Sequence, residues 1–228
     1  MPTIPAALFR FLTDLAEHND REWFNANKKR YERDVRDPAL AFIDAFQGPL
    51  ADLSPHFLAE PKAQGGSLFR IHRDTRFSAD KTPYKTHTAM QFRHRDASRD
   101  VHAPGFYLHL EPGASGVGVG IWMPPTPVLN TLRGTIVAQS ERWSALKAGF
   151  AEAGLSFMDG EHDLKRVPRG FDANHPHADD LRRKSLAVHR SLTDAEVTAP
   201  DFQGHLAAAF SDGAPLVELL CEAVGLPY

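Results

Sequence analysis

The stretch GFYLHLEPGASGVGVGIWM, residues 105–123, reads as two strands joined by a tight turn. Over 105–111, Phe106, Leu108 and Leu110 alternate with Tyr107, His109 and Glu111, the period-2 pattern of a strand with one buried face. Pro112-Gly113 supplies the turn. Over 115–123, Val117, Val119, Ile121 and Met123 alternate with Gly116, Gly118, Gly120 and Trp122. So short a connection permits only antiparallel pairing. Glycine at every second position bares one face of the second strand. Some neighbour must approach that backbone closely, either a helix packed flat or a ligand. The spacing matches neither the dinucleotide fingerprint nor the phosphate-binding P-loop.

Working outward, alternation predicts further strands over 67–73, 85–93 and 184–191. In 67–73, Leu68, Arg70 and His72 share one face, and Phe69 and Ile71 the other. Helical periodicity occupies both ends of the chain. Residues 5–17 place Leu8, Phe11, Leu12 and Leu15 on one stripe. Asn19 followed by Glu22 reads as a capping box that starts a second helix, carrying Trp23, Phe24, Tyr31 and Val35 as core. Asp37-Pro38 restarts or bends it, and Leu40, Phe42, Ile43, Phe46 and Leu50 continue as buried material. Residues 54–66 read as a loop. Thr126-Pro127 and Ser140 begin two more helices, the second ending at Gly154. An Asp159-Gly160 turn leads into a loop-rich segment. Thr193 and Glu196 form a capping box before two C-terminal helices, 201–210 and 215–224. With no linker or repeat between the halves, the expected architecture is α+β. It is a single domain over residues 1–228, with a mainly antiparallel central sheet flanked by N-terminal and C-terminal helices.

The 228 residues carry a net charge of −3, so the whole molecule is not drawn to polyanions. Positive charge is nevertheless concentrated in two segments. Five bases meet two acids over 67–87, and seven bases meet three acids over 165–190. Cys221 is the only cysteine, which excludes an intrachain disulfide and a cysteine-based zinc site. Arg10 and Asp14 interrupt the first apolar stretch, and no run approaches the roughly 20 apolar residues of a membrane helix. A cytoplasmic protein without membrane partners is expected. The sequence carries no signal of oligomeric state.

Residues 65–87, GGSLFRIHRDTRFSADKTPYKTH, set Arg70, Arg73, Arg76, Lys81 and Lys85 among Phe69, Ile71, Phe77 and Tyr84. Arginine's planar fork suits carboxylate or phosphate, and unpaired clustered charge costs stability when desolvated. An anion site is therefore expected here. Asp74 and Asp80 would orient the bases, Tyr84 would orient the ligand, and Lys165 or Arg166 would form a second wall. The alternative is a structural ion-pair network gluing a loop to the sheet.

Tyr107, His109 and Glu111 share a strand face at two-residue spacing, where a histidine and a carboxylate can share a proton or hold a metal, so Tyr107 is an expected ligand contact and His109 and Glu111 are the candidates for proton transfer. None of the 12 histidines falls in a helical H-x-x-x-H pair or an H-E-x-x-H motif. No metal and no cofactor are expected from spacing. No G-x-S-x-G elbow marks a serine nucleophile.

Several blocks together carry a resemblance. They are Asn19-Asp20-Arg21-Glu22-Trp23-Phe24, Gly66-Ser67-Leu68-Phe69-Arg70, Arg73-Asp74-Thr75-Arg76-Phe77, Asp80-Lys81-Thr82-Pro83-Tyr84-Lys85, Tyr107-Leu108-His109-Leu110-Glu111-Pro112 and Leu164-Lys165-Arg166-Val167-Pro168-Arg169-Gly170-Phe171. In this order they resemble the bacterial and fungal family catalogued as domain of unknown function 2461. The resemblance implies one globular unit over nearly the whole chain and assigns no catalytic residue. Three functional readings follow from the residues. The first is a binding or catalytic pocket for a phosphate-bearing or other anionic small molecule. The second is a nucleic-acid-associated protein stacking Phe77 or Tyr84 on a base, which the acidic background disfavours. The third is an interaction module for an acidic protein partner.

Overall fold

The computed structural model describes residues 2–97, 100, 102–158, 160 and 163–228. Asp159 of the expected turn lies outside them. In chain order the strands are β1 (Phe57–Leu58), β2 (Thr88–His94), β3 (Gly105–Leu110), β4 (Ser115–Ile121), β5 (Ser156–Phe157) and β6 (Leu186–Leu192). They form one sheet ordered β1-β2-β3-β4-β6-β5, and every neighbouring pair is antiparallel. β3 and β4 are the hairpin read from 105–123, with Gly113 at φ +70° in its turn. The short edge strands β1 and β5 fall in stretches that carry no alternation long enough to mark them.

The expected strand over 67–73 does not form, because its backbone is divided between two partners. Phe69 N–H donates to Ala89 O and Gln91 N–H to Ser67 O, whereas Arg73 N–H donates to Pro83 O and Lys85 N–H to Ile71 O. Only isolated bridges result, Leu68 with Met90 and His72 with Tyr84. The change of partner breaks the alternation. Leu68 and Ile71 are both buried, and Arg70 between them is exposed.

One sheet face buries Met90, Phe92, Phe106, Leu108, Leu110, Val117, Val119 and Ile121. Helices flank the sheet in sequence as expected: α1 (Ala6–Glu17), α2 (Arg21–Ala26), α3 (Lys28–Tyr31), α4 (Asp37–Ala45) and α5 (Gln47–Leu53) before it. One turn of π-helix, Glu32–Arg36, joins α3 to α4. α6 (Thr126–Ala138), α7 (Ser140–Glu152), α8 (Ala178–Arg182), α9 (Asp194–Thr198) and α10 (Phe202–Val224) follow β4. This is the α+β single-domain architecture. Phe46, Phe57, Phe92, Phe106 and Phe210 form a chain of ring contacts, with centroids 5.0–5.7 Å apart, that ties the N-terminal helices, the sheet and α10 together. Among the described residues, no helix is long and apolar enough to cross a membrane.

The two expected C-terminal helices are one. α10 runs through Pro215, although an interior proline costs about 3 kcal/mol. Burial decides the matter: Phe210, Leu216, Val217, Leu219 and Leu220 are at most 1% exposed, worth roughly 1.5–3 kcal/mol each. Pro215 and Ser211 are exposed, so water reaches the carbonyl that the proline leaves unbonded. The capping box of Thr193 and Glu196 forms as read.

Between α7 and α8 lies a buried charge. The Asp180 carboxylate, 1% exposed, accepts from Trp143 Nε1 at 2.9 Å, Lys147 Nζ at 2.8 Å and Arg183 Nε at 3.2 Å. Burial alone would raise its pKa, but these donors outweigh that and hold it below the ordinary carboxylate range. Asp180→Ala leaves the buried Trp143 indole N–H without its acceptor and removes a partner of Lys147 and Arg183, and should cost about 1–3 kcal/mol in urea unfolding. A lowered folded-state pKa means stability that is complete above the unfolded value of about 4 and is lost as pH falls through the folded one. Urea titrations from pH 7 to pH 3 should show this acid-dependent loss in the wild type and a smaller one in Asp180→Asn.

Candidate functional site

Asp20 caps α2, its Oδ1 accepting from Trp23 N–H at 2.8 Å, so Asn19 is not the capping residue expected. Asn19 reaches across the chain instead. Its Nδ2 donates to Tyr84 O at 3.0 Å, and Tyr84 N–H donates to its Oδ1 at 3.0 Å. The Tyr84 ring stacks on Phe24 at 4.0 Å and is 4% exposed. It is therefore unavailable for stacking on a nucleobase, while Phe77 is exposed. The clamp seats the 75–85 loop on α2 and leaves a cavity of about 370 Å³ between them. Arg21, Asn25, His72, Arg73, Thr75 and Tyr84 line it, and among the described residues no carboxylate does.

The five bases of the central block do not converge. Arg73 donates through Nη1 to Asp80 Oδ2 and Thr82 Oγ1, and it alone of the five lines the cavity. Arg76 closes a two-pronged pair with Asp74, at 3.0 and 2.7 Å. Lys81 Nζ donates to Thr75 O at 2.8 Å. Arg70 is exposed and has no hydrogen bond or ion pair among the described residues. Lys85 lies over the Phe69 ring at 5.2 Å, its pKa lowered by burial and then by Arg70. Local geometry explains the outcome. Asp74 and Asp80 sit within seven residues of the arginines they hold, and the turn folds each acid onto its own base. Those arginines hold Asp74 and Asp80 down to about pKa 2.

Lys165 and Arg166 form no second wall. Lys165 lines a separate cleft of about 630 Å³ beside Asp163, Asp179, Arg182 and Arg183, and Arg166 lines neither. Three of the seven bases of 165–190 are paired: Arg182 with Asp179, Arg183 with Asp180 and Asp163, and Arg190 with Asp212, while Lys165, Arg166 and Arg169 are exposed.

The polar face of the sheet holds a second cluster. Tyr107 Oη lies 3.3 Å from His109 Nδ1, and His109 Nε2 lies 2.9 Å from Glu111 Oε2. Thr86 Oγ1 donates to Glu111 Oε1 at 3.4 Å. His87, just before β2, brings its ring to 4.5 Å from that of His109. Burial first, then the neighbouring His109, pushes His87 down to about pKa 4, so it is neutral at pH 7. Burial pushes the Tyr107 hydroxyl up to about 12.

The glycine stripe of β4 crosses this same face, and among the described residues no helix packs on it. A Cβ at Gly120, whose φ is +133°, would lie 2.2 Å from Leu186 O, and one at Gly116 would lie 3.0 Å from Arg190 O. At Gly116 and Gly120 the close neighbour is thus the backbone of β6, whereas a Cβ at Gly118 would meet only the Tyr107 side chain, at 3.6 Å. Helix α10 packs on the opposite, valine face, where Gly213 meets Val119.

Arg21, Asn25, His72 and His87 were not singled out from the sequence. Alternation alone placed His87 on a face with Ala89. Only the register of Ala89 opposite His109 adds that this is the face of Tyr107 and His109. Nothing local to Arg21 or Asn25 signals the cavity, since both face it across the Asn19–Tyr84 clamp.

A family model described as Conserved hypothetical protein (DUF2461) matches residues 7–219, so the chain belongs to that family. No curated protein and no solved structure matches it.

The clamp sets a first test of the site. Asn19→Ala leaves the Tyr84 amide and carbonyl without partners, which should cost about 1–3 kcal/mol. Amide hydrogen exchange should accelerate over 82–86 and stay unchanged at Leu108 in β3.

Proposed function

We propose, for this member of the DUF2461 family, that the cavity between α2 and the 75–85 loop binds a phosphate-bearing or other anionic small molecule. One observation carries the reading: Arg21, His72 and Arg73 line a concavity that, among the described residues, no carboxylate lines. Arg73 is turned by Asp80 and Thr82 through one terminal nitrogen, which leaves the rest of its fork for a ligand. Arg21 has no ion pair among the described residues. The volume of about 370 Å³ is that of a small-ligand pocket, which favours a small molecule over a polymer. Asn25, Thr75 and Tyr84 add neutral polar groups that set ligand orientation.

The test is a thermal-shift series with inorganic phosphate, pyrophosphate, nucleotides and sugar phosphates, followed by calorimetry on the best of them. A ligand present at 100 times its Kd adds about 2.7 kcal/mol of stability, enough for a clear rise in Tm. A charge-assisted arginine contact contributes on the order of 1.5–3 kcal/mol, so Arg21→Ala should weaken binding by roughly tenfold or more with an unchanged ligand-free Tm. Arg73→Lys keeps the charge but loses the fork and should also weaken binding. A lowered ligand-free Tm in Arg73→Lys, with no ligand raising the wild-type Tm, would make these bases a structural network and end the reading.

A further inference from the structure

The polar face of the sheet supports an inference independent of the anion cavity. We propose that His87, His109 and Glu111 hold a divalent first-row transition-metal ion. Each contributes one donor atom, and the three atoms lie within 4.8 Å of one another. Donors around an ion with bonds of about 2.0–2.1 Å are spaced about 3.3 Å apart, so closure takes side-chain rotations of about 1 Å. His109 Nε2 and Glu111 Oε2, at 2.9 Å, already converge on one point.

Two further features distinguish this cluster from an ordinary sheet hydrogen bond. The non-ligating atoms are held from behind: Tyr107 Oη stands 3.3 Å from His109 Nδ1, and Thr86 Oγ1 donates to Glu111 Oε1. A metal on Nε2 requires the His109 proton on Nδ1, where Tyr107 Oη accepts it, and such outer partners fix the ring and its tautomer. Meanwhile His87 is half-buried and makes no hydrogen bond among the described residues. A hydrogen-bonded pair explains His109 and Glu111 and leaves His87 unexplained. A third ligand explains all three.

The donor set selects the ion. Two imidazoles and one carboxylate, with no thiolate, suit Zn²⁺, Fe²⁺, Mn²⁺ or Co²⁺, whereas Mg²⁺ and Ca²⁺ prefer oxygen donors alone. Three protein ligands leave coordination positions open, as in catalytic rather than structural sites. The other histidine cluster, His56, His94 and Asp96, is a poorer site. Both nitrogens of His94 are engaged there, with Pro227 O at 2.9 Å and Asp96 N–H at 3.2 Å.

The experiment begins with protein stripped by a chelator and titrated with Zn²⁺ by calorimetry. The wild type should take up one equivalent. His87→Gln and Glu111→Gln, checked for folding by circular dichroism, should each weaken Zn²⁺ binding by more than about tenfold, Tyr107→Phe by about tenfold, and His56→Ala not at all. A readout free of substitutions is the proton spectrum of the Co²⁺-loaded wild type, which should show two hyperfine-shifted, exchangeable imidazole N–H resonances. No stoichiometric uptake, uptake indifferent to His87→Gln and Glu111→Gln, loss of uptake in His56→Ala, or absence of the shifted N–H pair would each overturn the proposal.

Discussion

Gly213 of α10 lies so close to Val119 of β4 that a Cβ there would sit 2.8 Å from the valine. This contact sets the depth at which the long C-terminal helix beds onto the sheet. Phe210, a turn earlier, then meets both Phe92 and Phe106, and Phe46 joins from the N-terminal helices. With one sheet face committed to that packing, Tyr107, His109, His189 and the glycines of β4 are left on the other. The polar face thus follows from which side of β4 carries valine. Glycine on the opposite side serves the approach of β6, whose carbonyls at Leu186 and Arg190 occupy the space that side chains would need.

The N-terminal helices do more than cover the core. Through Asn19, the chain just before α2 holds the backbone of Tyr84, 65 residues away, by a donor and an acceptor at once. The main chain of 71–73 pairs with that of 83–85, so the clamp holds a small two-stranded flap whose far end carries the arginines. The flap crosses from the sheet to α2, which is why Arg73 faces Arg21 while Lys85 falls back over Phe69 beside the polar face. A single basic block in sequence becomes two neighbouring environments. One is the hollow lined by Arg21 and Arg73, and the other is the rim of the His87, His109 and Glu111 cluster.

Charge pairing within the flap follows the rule that short loops satisfy themselves first. An Asp two residues from an Arg closes a two-pronged pair at small entropic cost, since few torsions are fixed. Arg76 is absorbed this way. Arg73 is anchored by Asp80 and Thr82 with part of its fork left over. Counting bases against acids therefore overstates the positive charge available to a ligand and does not show which arginine is spare.

Residue pattern alone determined the β3–β4 hairpin, the placing of helices before and after a central group of strands, the α+β class, the capping box at Thr193 and the family to which residues 7–219 belong. These depend on neighbours within a few residues, where side-chain alternation, helical stripes and turn chemistry act directly. Tertiary structure decided what depends on distant partners. Residues 67–73 look like a strand because their side chains alternate, but their backbone bonds to β2 at one end and to 83–85 at the other. Pro215 reads as a helix boundary, but burial on both sides of it outweighs the lost hydrogen bond. Asn19 has the chemistry of a cap, yet Asp20, one residue later, takes the cap and frees it for Tyr84. His87 joins His109 and Glu111 only because Ala89 pairs opposite His109, and strand register is a property of the whole sheet.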